Sequence, residues 1–296
     1  MDFLSAEHLR VLHDLIVSAG DQAFEASKQS FEVFEKGVDD YVTNIDRQLD
    51  ADLSKALRHH FPQDGVVSEE NISSFQAFQS NYKRLWLIDP IDGTEDYIRH
   101  RPYYSVMVGL LQGYRPVAGW IYAPAFRQLY WGGPSQGLFQ SHDNQAVSLH
   151  PQVPCASSEG AARIIIGDRD QKRFGSAIAA HLPSIQFYTL GSFGLKVLEV
   201  IQGRAGLYLY CNGRVKLWDT AGPLALALAA GLTCCDLEGN PLRFGPDAVA
   251  VKTLVHYQSI VIGWPAYVEA MLPQIRQAVA AVGLKAGTEY DTKPTV

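Results

Sequence analysis

The sequence predicts a mixed α/β protein, with an α+β first half and an α/β second half, on three observations. Two amphipathic helical stretches come first, within residues 4–61. Apolar runs separated by short turns follow between residues 84 and 131, as in antiparallel hairpins. From residue 164 onward, apolar runs alternate with helical stretches, which is typical of an α/β unit.

The two opening helices are predicted over residues 4–27 and 44–61. In both stretches, apolar side chains recur at helical spacing and so form one face. Thr43 precedes the second stretch and is a preferred helix-capping residue. The segment between the two helices, around residues 36–40, predicts a turn or a mobile loop.

The strands of the first half begin with residues 84–89, a short apolar run that ends in an acid and predicts a buried strand. Three more runs follow at 105–111, 116–122 and 128–131. Gly113 and an Ala-Pro turn separate them, which predicts hairpins in an antiparallel sheet.

The second half alternates between the two kinds of element. Strands are predicted at 164–167, 185–190, 207–210 and 259–263, and helices at 170–181, 193–202, 220–231 and 265–282. Polar and small residues cluster with two prolines near 145–160, which predicts a boundary there. We therefore expect two domains, 1–150 and 151–296.

Composition argues against several classes of function. The 296 residues carry a formal net charge of -6, so the basic surplus that binds a nucleic-acid polymer is missing. No apolar run reaches about 18 residues, which argues against a membrane span, and the first residues lack the apolar core of a signal peptide. The four cysteines lack metal-binding spacing and predict reduced thiols. We expect a cytoplasmic protein.

The run at residues 89–94 contains the residues most directly suited to chemistry. An apolar strand delivers Asp89 to its carboxyl end, and Pro90 is expected to end that strand. Asp92 lies near enough to share a site with Asp89, and Gly93 permits a tight turn. Thr94 stands where a helix can begin, with outward N–H groups. Two carboxylates beside anion-binding N–H groups suit Mg²⁺ and phosphate.

The competing interpretation of two acids at this spacing is a solvated turn that caps a helix. The apolar lead-in and the Pro-Ile-Asp-Gly-Thr context favour the metal site instead. An EF-hand loop is excluded because its acids alternate and it ends in a distal Glu. Phosphatases with an Asp-x-Asp nucleophile place their acids two apart, not three.

Three ordered motifs resemble those of the inositol monophosphatase superfamily. This superfamily includes inositol monophosphatases, 3'(2'),5'-bisphosphate nucleotidases and, more distantly, fructose-1,6-bisphosphatases. The motifs occupy residues 40–46, residues 67–70 with 89–94, and residues 217–222. The resemblance implies a layered α-β-α-β-α sandwich of the sugar-phosphatase type, with the site between an antiparallel-sheet domain and a smaller α/β domain. It also implies a homodimer and inhibition by lithium.

The resemblance assigns metal ligands residue by residue. Glu69, Asp89 and the backbone carbonyl of Ile91 would hold a first Mg²⁺, and Asp89 would bridge to a second Mg²⁺ completed by Asp92 and Asp219. A third, weaker ion would touch Glu69 through water. The four carboxylates bring about four negative charges together, and such a cluster requires cations. Asp219 alone would otherwise be interpreted as a helix N-cap.

The resemblance also assigns catalytic roles. Gly93 and Thr94 would offer backbone N–H groups to the phosphate, with Asp219 beside the substrate. Thr94, polarised by Asp46, would position and deprotonate the attacking water, and Glu69 completes the catalytic set. Without the resemblance, Asp46 is a solvated first-turn acid. Lys36 would lie on a loop that closes over the site, where a lone lysine is more often exposed.

Two further stretches bear on the substrate. Residues 95–97, Glu-Asp-Tyr, are similar to the triplet of bisphosphate nucleotidases rather than that of inositol enzymes. Residues 191–196 are similar to a stretch in which Lys196 would meet a second phosphate and Ser192 the nucleoside; the alternative is that Lys196 is a helix-surface lysine. Asn212 stands where inositol enzymes often place a Glu that binds ring hydroxyls.

These features predict a phosphatase that converts 3'-phosphoadenosine 5'-phosphate to AMP. Inositol 1-phosphate is the second substrate, and sugar phosphates or histidinol phosphate remain as others. A phosphometabolite-binding sensor without activity, or a partner-binding protein with an acidic patch, are the alternatives from other classes of function.

Overall fold

The computed structural model describes residues 4–37, 40–142, 145–154 and 162–286. Its first half contains α1 (Ala6–Ser27), β1 (Val33–Gly37), β2 (Asp40–Thr43), α2 (Asn44–His60), β3 (Gly65–Ser68), α3 (Gln76–Gln79), β4 (Arg84–Asp92), α4 (Thr94–Ile98), β5 (Ser105–Gln112), β6 (Arg115–Ala123), β7 (Gln128–Gly133), β8 (Gly137–His142) and β9 (Gln145–Ser148). Its second half contains β10 (Ala162–Ile166), α5 (Asp168–His181), β11 (Ile185–Tyr188), α6 (Phe193–Ile201), β12 (Leu207–Tyr210), α7 (Leu217–Ala229), β13 (Thr233–Cys235), β14 (Val249–Ala250), β15 (Val255–His256), β16 (Ile260–Gly263) and α8 (Pro265–Ala286).

The larger sheet has seven strands in the order β3-β4-β5-β6-β7-β8-β9. Neighbouring strands are antiparallel except β3, which runs parallel to β4. Helices α1 and α2 cover one face, where Leu12, Leu53, Trp86 and Trp120 share a buried apolar cluster. The apolar faces expected from the helical spacing are therefore the ones that pack on the sheet.

The smaller sheet has five strands in the order β11-β10-β12-β16-β13. The first three are parallel; β16 pairs with β12 in antiparallel register, and β13 pairs with β16 in antiparallel register. Helices α5 and α8 cover its outer face through a cluster that includes Ile164, Phe174, Leu207 and Ile275. The α/β pattern of the second half is confirmed.

Helices α6 and α7 lie between the two sheets. Their side chains Leu198 and Leu224 share one buried cluster with Met107 of the larger sheet and Tyr208 of the smaller one. The layers are thus α1 and α2, the larger sheet, α6 and α7, the smaller sheet, and α5 and α8. This arrangement confirms the predicted α-β-α-β-α sandwich.

Close backbone contact sets the position of α7 on the larger sheet. A Cβ on Gly119 of β6 would lie 2.2 Å from the carbonyl oxygen of Gly222, and one on Gly109 of β5 would lie 2.5 Å from the nitrogen of Gly222. Only glycine permits this approach. The contact holds the amino end of α7, which carries Asp219, close to the carboxyl end of β4.

The expectation that Pro90 ends its strand was wrong, because β4 continues to Asp92. Strand β3 ends at Ser68, which pairs with Ile88, so Pro90 has no partner on that side. The register with β5 shifts between Asp89 and Asp92, so Pro90 needs no donor there either. A proline is tolerated where the ladder requires no N–H.

Two other expectations are corrected, and the expected boundary is described only in part. Lys36 and Gly37 end strand β1 and Asp40 begins β2, so these residues form a strand pair rather than a loop, while residues 38–39 lie outside the described residues. Sequence patterns missed β3, β8, β9 and β13, which are six residues or shorter and carry little periodic signal. Residues 145–148 of the expected boundary form β9, and 155–161 are not described.

The two-domain division at residue 150 stays a prediction.

Among the described residues, no helix is both long and apolar enough to cross a membrane.

Candidate active site

Three carboxylates from the two halves of the chain meet at the end of β4. Ligand-type oxygens of Asp89, Asp92 and Asp219 all lie within 4.8 Å of one another. Asp89 and Asp92 come from β4, and Asp219 stands in the first turn of α7. The Asp219 carboxylate accepts a hydrogen bond from the backbone N–H of Lys216 at 2.6 Å. Lys216, not Asp219, is therefore the N-cap of α7, and Asp219 caps it from the third position.

The triad is electrostatically strained without a cation. Burial raises the pKa of Asp89 well above its ordinary range, and the charges of Glu69, Asp92 and Asp219 raise it further. Burial and Glu69 raise the pKa of Asp219 to about 7, and burial also raises that of Asp92. The Oδ1 atom of Asp89 is buried and has no hydrogen-bond partner among the described residues.

These properties fit Mg²⁺, which takes oxygen ligands and is often held by one or two carboxylates. An orphaned carboxylate oxygen that faces other carboxylates is the arrangement that a hard divalent cation would satisfy. The triad thus fits the expected metal site, and Asp89 lies at its most buried point, with 1% of its surface exposed.

Asp92 is fixed from behind by the start of α6. Its Oδ2 atom accepts hydrogen bonds from the hydroxyl of Ser192 at 2.5 Å and from the backbone N–H of Gly194 at 2.9 Å. Ser192 is fully buried, and its hydroxyl also lies 3.0 Å from that of Ser105. Ser192 therefore supports Asp92 beneath the cleft, and its predicted contact with a nucleoside stays a prediction.

Glu69 lies beside the triad and is paired with two lysines. Its Oε1 atom is 2.9 Å from Nζ of Lys36 and 3.7 Å from Nζ of Lys216. Lys36 also contacts Glu70 at 2.7 Å, so it faces the site from β1. Although burial alone would lower the pKa of Lys36, Glu69 and Glu70 raise it above its ordinary value. Whether Lys36 closes over a substrate stays a prediction.

Glu70 is not a surface acid, since only 6% of its side chain is exposed. Burial and the charge of Glu69 raise its pKa to about 7.

Sequence patterns carry no signal for Lys216 at the site, because its partner Glu69 lies far away along the chain.

Gly93 shapes the turn between β4 and α4. Its φ of 91° is left-handed, and a Cβ there would lie 2.9 Å from the carbonyl oxygen of Tyr103 and 3.0 Å from the nitrogen of Ser192. Both the torsion and the crowding require glycine. Helix α4 then begins at Thr94, as predicted.

Thr94 and Asp46 each have a different partner in this structure. The Thr94 hydroxyl donates to the carbonyl oxygen of Ile91 at 3.0 Å. The Asp46 carboxylate accepts from Thr43, at 2.8 Å from its N–H and 2.5 Å from its hydroxyl. Asp46 is buried rather than solvated, and burial raises its pKa to about 6. The predicted Thr94–Asp46 pair and the metal contact of the Ile91 carbonyl stay predictions.

Lys196 is not a helix-surface lysine, because only 7% of it is exposed. Its ammonium donates to the carbonyl oxygen of Gly191 at 3.1 Å. Burial lowers its pKa, and the nearby carboxylate of Asp92 opposes that change. Its contact with a substrate phosphate stays a prediction.

Comparison with known proteins identifies the family of this chain. The model of the inositol monophosphatase family matches residues 5–278. The chain belongs to the inositol monophosphatase family. Family membership establishes phosphoric monoester hydrolase chemistry, and magnesium dependence is general in the inositol monophosphatase family.

Relatives in the inositol monophosphatase family differ in their names. The 3'(2'),5'-bisphosphate nucleotidase CysQ of Aggregatibacter actinomycetemcomitans is 29% identical over 246 residues, which cover 82% of this chain and 90% of that protein. The fructose-1,6-bisphosphatase/inositol-1-monophosphatase of Aquifex aeolicus is 29% identical over 227 residues, covering 75% and 81%. The solved IMPase of Thermotoga maritima has a TM-score of 0.74 at 20% identity over 94% of this chain and 100% of that one, and so shares the fold.

Proposed function

We propose that the protein is a Mg²⁺-dependent phosphomonoesterase that converts 3'-phosphoadenosine 5'-phosphate to AMP. The proposal rests above all on the converging carboxylates of Asp89, Asp92 and Asp219, whose oxygens lie within 4.8 Å of one another. Such a buried acidic cluster is costly to maintain in a protein that binds no cation.

The chain's own residues divide the work of hydrolysis. Asp89, Asp92, Asp219 and Glu69 would hold the Mg²⁺ ions, two or three in number. The bound ions would supply charge stabilisation for the phosphoryl group and lower the pKa of a water molecule. In this proposal the backbone N–H groups of Gly93 and Thr94 orient the phosphate. Because water attacks directly, the mechanism needs positioning and charge stabilisation but no phosphoenzyme.

Proton handling falls to Thr94 and Asp46. In this proposal the Thr94 hydroxyl releases the Ile91 carbonyl, takes a proton from the attacking water and passes its own proton to Asp46. The departing ester oxygen takes its proton from solvent. Burial raises the pKa of Asp46 to about 6, which suits a group that takes up a proton near neutral pH.

The nucleotide substrate is favoured over inositol phosphate by residues of the second half. Asn212 occupies the position where the inositol enzymes often carry a Glu, so a ligand for ring hydroxyls is missing. Lys196 lies near the start of α6, close enough to Asp92 for each charge to shift the pKa of the other. In this position its ammonium would bind a second phosphate. The relative named bisphosphate nucleotidase, 29% identical over 82% of this chain, supports the same choice.

The deciding experiment compares kcat/KM on 3'-phosphoadenosine 5'-phosphate and on inositol 1-phosphate, with Mg²⁺ and with EDTA. We expect at least a tenfold preference for the nucleotide and no phosphate release in EDTA. A tenfold preference for inositol phosphate would instead favour the second candidate, which the relative named inositol-1-monophosphatase supports. Absence of release over a panel that includes sugar phosphates and histidinol phosphate would favour the sensor.

A further inference from the structure

Lys216 joins the two halves of the molecule at the edge of the carboxylate triad. It lies just before α7, yet its ammonium is 3.7 Å from Glu69, which follows β3 of the larger sheet. A quarter of the Lys216 side chain is exposed, so its head reaches the cleft rather than the core. Lys216 was not among the residues that the sequence predicted for the site.

The backbone of Lys216 is held in place while its head can move. Its N–H donates to Asp219 at 2.6 Å, and it forms an isolated bridge with Val255. The ammonium lies 5.2 Å from the centre of the Trp218 ring. This contact helps to position the side chain of Lys216 but does not neutralise its charge. These contacts restrict the ammonium to the space beside Glu69 and the triad.

The other lysines near the site are already engaged. Lys36 contacts Glu70 at 2.7 Å as well as Glu69, so it keeps a counter-ion if Glu69 turns away. Lys196 is 7% exposed and donates to a backbone carbonyl. Within the described ranges, Glu69 is the only carboxylate that forms an ion pair with Lys216, and the separation of 3.7 Å is long for such a pair.

The charge balance around Lys216 changes when Glu69 serves as a metal ligand. The carboxylates of Glu69 and the triad would hold two divalent ions that offset their charge, and Lys216 would then be left without a counter-ion. A phosphate ester brings up to two negative charges into the same cleft. The geometry points to Lys216 as a phosphate-binding residue that pairs with Glu69 before loading and with the substrate's phosphoryl oxygens afterwards.

This inference rests on the proposed phosphatase site and predicts opposite effects on two ligands. Lys216→Gln should weaken binding of inorganic phosphate in the presence of Mg²⁺ by roughly 10- to 100-fold, the range of a lost charge-assisted hydrogen bond. The same change should tighten Mg²⁺ binding by about two- to fivefold, because a competing cation leaves Glu69. Lys216→Arg should keep phosphate binding near the wild-type level.

Isothermal calorimetry with Mg²⁺ alone, and with inorganic phosphate at saturating Mg²⁺, provides both constants without turnover. Lys172→Gln is the matched control, since Lys172 is an exposed residue of α5, and it should change neither constant. Weakening of both ligands by Lys216→Gln indicates a structural role and overturns the inference, as does unchanged phosphate binding.

The same measurements separate this inference from the proposed function. If the wild-type protein hydrolyses no ester but binds phosphate through Lys216, the function fails and the inference stands. If it hydrolyses esters and Lys216→Gln binds phosphate as tightly as the wild type, the inference fails and the function stands.

Discussion

Two carboxylates of the triad are held by hydrogen bonds from different neighbours. Asp92 is held by Ser192 and Gly194, and Asp219 by the N–H of Lys216. The Oδ1 atom of Asp89 has no hydrogen-bond partner among the described residues. Asp89 is therefore the residue whose charge is least compensated in the protein alone and the one whose removal tests the metal site most directly.

Replacing Asp89 by Asn should separate activity from stability. We expect phosphate release to fall by about a thousandfold or more, because the variant loses a bridging metal ligand. In EDTA, its Tm should rise, since a buried and repelled charge is gone. Activity assays and thermal unfolding measure the two effects. Asp52→Asn, at an exposed residue of α2, is the control; equal activity of Asp89→Asn and wild type would contradict a metal role.

Ser192 should act through Asp92. Ser192→Ala removes the hydroxyl that donates to Asp92 at 2.5 Å and also removes the N-cap bond to Leu195. We expect Mg²⁺ affinity to fall by about tenfold, as for other residues that orient metal ligands. Loss of the cap should cost about 1 kcal/mol of stability.

Calorimetry with Mg²⁺ and thermal unfolding check both effects of Ser192→Ala. High Mg²⁺ should restore most of its kcat, which a misfolded protein would not show. Ser176→Ala, at an exposed residue of α5, should change nothing. Unaltered Mg²⁺ affinity in Ser192→Ala would mean that Asp92 is positioned without the hydroxyl.

At the scale of elements, the packing of α7 on the larger sheet decides where Asp219 lies. Gly109 and Gly119 of the sheet face Gly222 at distances that leave no room for a Cβ. The helix also carries Pro223 in its interior, where a missing N–H removes one helical bond. The position of the third carboxylate is therefore set by close backbone contact as well as by the burial of apolar side chains between the sheets.

Replacing Gly119 by Ala should disturb this contact. Its Cβ would lie 2.2 Å from the carbonyl oxygen of Gly222, so the strand or α7 must shift. We expect a loss of about 2–3 kcal/mol in the free energy of unfolding, as for other overpacked sites, with a fall in activity as Asp219 moves. Urea unfolding and kcat measure the two changes.

The matched control for Gly119→Ala is Gly167→Ala, whose Cβ would meet nothing within 4 Å and whose φ of -69° suits any residue. Because Gly167 is the N-cap of α5 and Ala is a poorer cap than Gly, the change should cost at most about 1 kcal/mol, and it should leave kcat unchanged. If both substitutions have equally small effects, α7 has room to adjust and the contact does not fix Asp219.

At the scale of the whole molecule, acids that are buried without a cation make stability depend on pH and on metal. Burial raises the pKa of Asp219 and Glu70 to about 7, and those of Asp46 and Asp50 to about 6. Each folded-state pKa lies above the unfolded one, so the folded protein binds more protons. Stability of the metal-free protein is therefore lost as pH rises through about 6 to 7.

Metal should reverse this dependence, since ligands must be deprotonated to bind. We expect the Tm in EDTA to fall between pH 5 and pH 8, and the increase in Tm produced by Mg²⁺ to be largest at pH 8. At a Mg²⁺ concentration 100 times its Kd, that stabilisation is about 2.7 kcal/mol. Thermal unfolding with and without EDTA across this range tests both slopes; a Mg²⁺ effect that grows as pH falls would exclude these carboxylates as ligands.

The sequence by itself determined the chemistry and most of the elements. The strand 207–210 and the helix after Thr43 were predicted with their observed bounds or within one residue, because periodicity and capping are local properties. The acids at 89 and 92 follow from a motif of neighbouring residues, and the structure brings their carboxylates together. Local patterns predicted neither short strands such as β3 nor the continuation of β4 through Pro90.

Only the tertiary structure decided which side chains meet. Ser192 lies behind Asp92, Lys196 is buried, and Lys216 reaches Glu69 across the cleft. The two pairs are separated by some 100 residues or more, and their distances depend on how α6 and α7 pack between two sheets. No spacing along the chain encodes that packing, because it arises from burial of apolar faces that are common to many helices.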